Sequence, residues 1–197
     1  MLFAKTTPKG TGIEFWGDYN DLASLYDTII KLSDLDCNHE RNRHVLPIIR
    51  LQISSALKGN ELKNNSIENG LGQTSYYGFR LDWITLLYSI SALRYNAGML
   101  PTDEIDQCNL MQLEYWTRKT LEDYDPEGAK FLKLFINKRI DVADEHIGMR
   151  HHSLLIKYFS IKPGKKRFRY ISSLLVQKYS YTNIYIPDCY DEYDIIW

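Results

Sequence analysis

The chain has 197 residues, 44% of them aliphatic or aromatic, and a formal net charge of −1. That is enough apolar matter for a real core and excludes a disordered chain, while no run of 18 apolar residues occurs, which excludes a transmembrane helix. Three scattered cysteines (Cys37, Cys108 and Cys189) lack metal-ligand spacing, and MLFAKTTPKGTG lacks a secretory leader's layout, so reduced thiols in a cytoplasmic protein are expected.

LFAKTTPKGTGIEFWG reads as a β-hairpin, two short extended runs around a turn rich in Pro and Gly. DYNDLASLYDTIIKLS then places Leu22, Leu25, Tyr26, Ile29 and Ile30 on one helical stripe, with Asp18 or Asn20 as the cap. Pro47 suits the first turn of a second helix, to about Lys58, with Ile49, Ile53, Ala56 and Leu57 inward. GNELKNNSIENGLGQ reads as a loop with room for a short edge strand, and TSYYGFRL as a third strand that joins the hairpin. From Asp82 to Asn96 the pattern is apolar on most faces, the mark of a helix buried all round.

The remainder is helical. Thr102 is the expected cap of a helix to about Asp123, with Ile105, Cys108, Gln112, Tyr115 and Trp116 as its inward stripe. Asp125-Pro126-Glu127 is a start signal for the next helix, whose face would be Phe131, Leu132, Phe135 and Ile136. A helix over about 144–159 would bury Ile147, His151, Leu154, Leu155 and Tyr158, and one from about Lys162 to Lys178 would bury Phe168, Ile171, Leu174 and Leu175. TNIYIP reads as one last short strand.

Gly17, Asp18, Tyr19, Asp21, Leu22, Leu25, Tyr26 and Asp27 spell a GDYxDLxxLYD helix start behind a hairpin, and Asp194 to Trp197 close an acidic, tryptophan-ended tail. In these features, with YDPEG at Tyr124 to Gly128 as a third point, the chain resembles a family of bacterial proteins without an assigned function. The resemblance implies a bacterial cytosolic α+β protein and carries over no activity and no functional residue.

Asp18 and Asp21 could offer oxygens to a hard cation, but capping and complementing a helix dipole explain both. His146, His151 and His152 are spaced five and six apart rather than the four of a zinc helix, and His151 falls on an apolar stripe, which suits a core histidine. Arg139 and His146 fit a loose Arg-x6-His pattern of helical ribonucleases, a pattern that arises by chance in a chain of this size. Gly-rich phosphate loops, G-x-S-x-G, CxxC pairs and HExxH are absent from the sequence. No catalytic residue, metal ligand or cofactor is therefore assigned, and the reading leans away from an enzyme.

Charge is the stronger signal. Between residues 146 and 187 stand eight cations (Arg150, Lys157, Lys162, Lys165, Lys166, Arg167, Arg169 and Lys178) and no acid. Lys162, Lys165, Lys166, Arg167, Arg169 and Lys178, with Phe168 and Tyr170 interleaved, form a candidate surface for nucleic acid or a partner protein. The tail that follows carries Asp191, Glu192 and Asp194 ahead of Ile195, Ile196 and Trp197. It is expected to fold back as a strap, its apolar tip in a groove and its acids toward the lysines.

The expected fold is α+β and mainly helical, with six or seven helices on a small antiparallel sheet made by the N-terminal hairpin and a strand near residues 74–81. A single domain is expected, with a sheet-containing part over 1–81, a helical part over 82–187 and the tail at 188–197. Two functions are carried forward. The first is a non-enzymatic interaction protein, an accessory, immunity or phage-defence-type subunit that binds another protein. The alternative is a nucleic-acid-binding protein or nuclease that uses the basic helix 162–178. Neither involves a membrane.

Overall fold

A computed structural model describes residues 1–33, 45–68, 73–136 and 140–176. Among them are four strands, β1 (Phe3–Thr6), β2 (Gly12–Gly17), β3 (Leu62–Glu68) and β4 (Gln73–Asp82). Seven α-helices accompany them: α1 (Tyr19–Ser33), α2 (Leu46–Leu57), α3 (Trp83–Ala97), α4 (Glu104–Tyr124), α5 (Pro126–Leu132), α6 (Ile147–Phe159) and α7 (Lys165–Val176). The strands form one antiparallel sheet in the order β1-β2-β4-β3, so the hairpin is joined by β4 and the breaker-rich segment supplies the edge strand β3. This is the mainly helical α+β fold expected.

Period-2 alternation sorts the sheet into two faces. Ile13 and Phe15 of β2 lie opposite Leu81 and Phe79 of β4, all buried, and the Phe15 and Phe79 rings stack at 5.4 Å. Against this inner face lie the stripes of α1 (Leu22, Leu25, Ile29, Leu32) and α2 (Ile49, Ile53, Ala56). Helix α3 is buried on every side, as its apolar sequence requires, and Asp82 caps it by accepting from Thr85 N at 2.8 Å. At the start of α1, Asp18 and Asp21 bond each other's backbone N–H at 2.9 and 3.1 Å, a reciprocal cap.

The hairpin turn is the junction between sheet and helices. Gly10 stands at φ +66°, the left-handed region, and a Cβ there would meet the Tyr124 hydroxyl. The Thr11 carbonyl accepts from Tyr158 Oη at 2.8 Å, and Trp83 Nε1 donates to Gly10 O at 3.1 Å. The Thr11 hydroxyl oxygen accepts from Arg167 Nη2 at 2.6 Å. One turn of a two-stranded ribbon thus holds α3, α6 and α7.

Three expectations need correction. The cap of α4 is Asp103, not Thr102, in a reciprocal capping box with Asp106. The α4 stripe is on the opposite face: Ile105 and Tyr115 are 64% and 54% exposed and Cys108 is exposed. In their place the helix buries Leu110, Leu113 and Leu121 together with Asp106, Asn109, Glu114, Thr117 and Thr120. Buried polar side chains are tolerated where they find partners. Asn109 Nδ2 donates to Ser24 O, Ser24 Oγ and Thr28 Oγ1 at 3.0–3.1 Å, Thr28 donates to Asp106 at 2.9 Å, and Glu114 pairs with Arg94. Third, Phe131 of α5 is 60% exposed; buried Gly128 and Ala129 take the contact with α7 instead. The suggested strand TNIYIP lies outside the described residues.

Removing the Tyr158 hydroxyl should expose how much the turn contributes. Tyr158→Phe is expected to destabilise by about 1 kcal/mol, the net worth of one buried hydrogen bond. Gly10→Ala should cost more, because it adds backbone strain to a clash. Chemical denaturation of the three proteins measures both.

Candidate interaction surfaces

Helix α7 begins behind Gly164 and divides its cations by helical phase. Lys162, Lys165 and Lys166 are exposed, whereas Arg167 is only 3% exposed, on the same inward side as Phe168, Ile171 and Leu174. Its guanidinium lies 4.5 Å from the Tyr158 ring centroid, a cation–π contact, and donates to Thr11 Oγ1 and Ile161 O. Arg169 is half exposed but engages buried Asp125 through two bonds, Nε–Oδ2 at 2.5 Å and Nη2–Oδ1 at 2.9 Å. That pairing holds the Asp125 carboxyl below the usual carboxylate range despite its burial. Of the basic run, three lysines face solvent without an ion pair to a described residue, and two arginines bind the fold together. Lys178 and the tail residues Asp191, Glu192, Asp194, Ile195, Ile196 and Trp197 lie outside the described residues.

His151 is a core residue. Its Nε2 is 3.0 Å from Thr85 Oγ1 and its ring 5.2 Å from that of Tyr88. Thr85 also bonds Asp82, whose carboxyl is pushed up by burial and drawn back only in part by these bonds. His146 sits at the cap of α6, next to Glu145, and Asp144 pairs with Arg150. Among the described residues, no three His, Cys, Asp or Glu side chains converge as metal ligands. Arg139 lies outside the described residues.

Two surfaces stand open instead. The first is the outward face of α4. Thr102, Asp103, Glu104, Gln107, Cys108, Met111, Gln112, Tyr115 and Trp116 line, with Met1, a shallow cavity of about 820 Å³. Met111 is 60% exposed, and the Tyr115 and Trp116 rings meet edge to face at 5.3 Å. The second is the outer face of the sheet at its β1/β3 end, a concavity of about 480 Å³ lined by Phe3, Lys5, Trp16, Lys63, Asn64 and Tyr76. Neither was found by sequence reasoning. By its spacing the α4 stripe reads as core-facing, and the three aromatics of the sheet come together only through strand register.

With that geometry in view, the family can be placed. Residues 2–186 match the model of a family described as Domain of unknown function (DUF6904). The chain belongs to that family. This agrees with the resemblance to a family without an assigned function. No curated protein and no solved structure matches the chain. Among the described residues no helix is long and apolar enough to cross a membrane.

The Asp125–Arg169 pair makes a pH prediction. A carboxyl whose pKa is lower folded than unfolded contributes stability in full above the ordinary carboxylate value. That contribution is lost as the pH falls through the folded pKa. The gap in melting temperature between wild type and Asp125→Asn should therefore be widest near neutrality and shrink below about pH 4. A gap that holds constant down to pH 3 would remove the pair from the account.

Proposed function

We propose that this protein works by binding another macromolecule rather than by turning over a substrate, as an accessory, immunity or phage-defence-type subunit. The observation that carries this reading is the inverted amphipathicity of α4. The helix turns buried, hydrogen-bonded polar groups toward α1 and α3, and presents Ile105, Cys108, Met111 and Tyr115 outward. Contiguous exposed apolar surface around a shallow cavity is the usual signature of a protein-binding site. Tyr and Met are side chains that interfaces enrich, since they supply large contact area with adaptable packing.

The rim of the surface favours a partner of complementary charge. Glu104 lines the cavity and is exposed, beside Asp103, whose carboxylate already pairs with Lys31, so a protein with an apolar anchor flanked by a Lys or Arg complements it. The chain's own Asp191–Trp197 segment is apolar at its tip but acidic before it, a poor match for that rim. It better matches the solvent-facing lysines Lys162, Lys165 and Lys166, so its proposed role remains that of an intramolecular strap. Phe131, Leu134, Phe135, Ser172, Ser173 and Val176 line an apolar groove of about 260 Å³ at the end of α7.

Two variants separate these roles. Met111→Asp/Tyr115→Asp should leave the melting temperature within about 2 °C of wild type, since both side chains are exposed, and should abolish co-purification of the partner from the native host. Deleting residues 191–197 should instead lower the melting temperature and leave the partner bound. Partner retention by the α4 variant would contradict the proposal.

A further inference from the structure

The outward side of α4 carries charge as well as apolar surface, and its two ends are not balanced alike. At the first turn three carboxylates, Asp103, Glu104 and Asp106, stand around one lysine. Lys31 reaches Asp103 at 3.3 Å and Asp106 at 2.5 Å, and exposed Glu104 has no ion pair among the described residues. Toward the other end the balance reverses, because Arg94 and Arg118 share a single buried carboxylate, that of Glu114, with Arg118 Nη2 at 3.7 Å. The remaining ions there cancel in pairs, Lys119 with Asp123 at 3.2 Å and Lys133 with Glu122. The helix face is therefore acidic at its start and has a surplus guanidinium near its end.

Helical phase puts these charges on one line with the apolar surface. Glu104, Met111 and Arg118 recur every seven residues, so each lies within about 20° of the one before it around the axis. Met111, at the centre, is 60% exposed, and the Arg118 side chain 42%. At 1.5 Å per residue, Glu104 and Arg118 stand about 21 Å apart along the helix with Met111 midway. A row that runs acid, apolar, cation, with the apolar residue in the middle, complements itself when turned end for end.

We propose, resting on the reading of this face as a protein-binding site, that its occupant is a second copy of this chain. The two copies form a symmetric dimer in which α4 packs antiparallel on α4 about a two-fold axis at Met111. Turned about that axis, Glu104 of each copy comes opposite Arg118 of the other, so the unpaired carboxylate meets the surplus guanidinium twice over. Tyr115 comes level with Gln107 of the other copy, and its ring enters the shallow cavity that Gln107, Cys108 and Met111 line, as a knob enters a hole. Tyr115 with Arg118 one turn on is thus the apolar anchor and flanking cation that the rim favours. A parallel pairing would instead set Glu104 on Glu104 and Arg118 on Arg118. Nucleic acid and an anionic lipid surface are both repelled by the acidic first turn. One helix face per copy is at the small end of specific interfaces, so a reversible dimer rather than an obligate one is expected.

Sedimentation velocity of the full-length chain in reducing buffer, over about 1–200 μM, tests it, since an interface of this size belongs in that range. A monomer–dimer equilibrium is expected. Met111→Asp, which sets two carboxylates against each other on the axis, should leave monomer alone. Glu104→Arg and Arg118→Glu should each raise the dissociation constant about tenfold, because the symmetry counts each change twice. Mixed in equal amounts, these two charge variants should form a heterodimer about as tight as the wild-type dimer, since every altered side chain then faces its opposite. Circular dichroism melts of the three variants confirm that they are folded. The proposal is overturned if the wild-type chain stays monomeric throughout, if a dimer forms that Met111→Asp leaves intact, or if the mixed charge variants associate no better than each alone. The protein-binding reading fails on a different result, retention of the host partner by Met111→Asp/Tyr115→Asp. A monomeric chain whose α4 variant still loses that partner would give the face to the host protein and overturn the dimer only.

Discussion

The structure depends on how a buried arginine is accommodated at the hairpin turn. Arg167 is 3% exposed, and among the described residues no carboxylate pairs with it. Burying a guanidinium this way is expensive unless its donors and its charge find other partners. Thr11 supplies a hydroxyl oxygen, Ile161 a carbonyl, and the Tyr158 ring a π-face. Tyr158 in turn spends its own hydroxyl on the Thr11 carbonyl, and burial pushes that phenol far above its ordinary pKa. The turn, α6 and α7 are therefore tied to one another through a single residue of the hairpin. Each of these bonds holds only while the others stay in place, and Arg167 Nε, buried among them, has no hydrogen-bond partner among the described residues.

This constraint decides which surfaces remain free. With Arg167 inward, helical phase turns Phe168, Ile171 and Leu174 inward as well, and Arg169 reaches Asp125 at the start of α5. The basic run, which looks uniform as a string of residues, becomes three solvent-facing lysines and two structural arginines. The turn end of the sheet is covered by the same contacts, since Thr11 and Asp82 are buried there. At the opposite end, Phe3 and Tyr76 stay in contact with solvent. On the flank of β1, α4 satisfies Asp106, Asn109 and Glu114 against α1 and α3 and leaves an apolar stripe outside. Two open surfaces of different chemistry thus result from one packing arrangement.

Much of the fold was legible from residue pattern. The Pro/Gly turn between two alternating runs announced the hairpin, the i, i+3, i+7 spacing of Leu22, Leu25 and Ile29 announced α1, and the charge-free stretch 83–93, apolar on most faces, announced a helix buried all round. His151 lay on an apolar stripe and is in the core. The two surfaces were not legible, and for physical reasons. Along α4, Ile105, Cys108 and Tyr115 form as good a stripe as Leu110, Leu113 and Leu121. The choice between them is made by Asn109, Asp106 and Glu114 finding partners on α1 and α3, contacts that span 20 or more residues of sequence. Arg167 reads as one more surface cation until Thr11, 156 positions earlier, is placed beside it. Phe3, Trp16 and Tyr76 become a platform only through strand register.

The most direct test of this account is a double-mutant cycle between Thr11→Val and Arg167→Met, read by chemical denaturation. If the turn and α7 are held through one shared set of bonds, the single variants should each destabilise. The double variant should then cost about 1–2 kcal/mol less than their sum, because Met no longer needs the hydroxyl that Val removes. Strict additivity would show that Thr11 and Arg167 act separately, and would contradict the claim that this contact organises the fold.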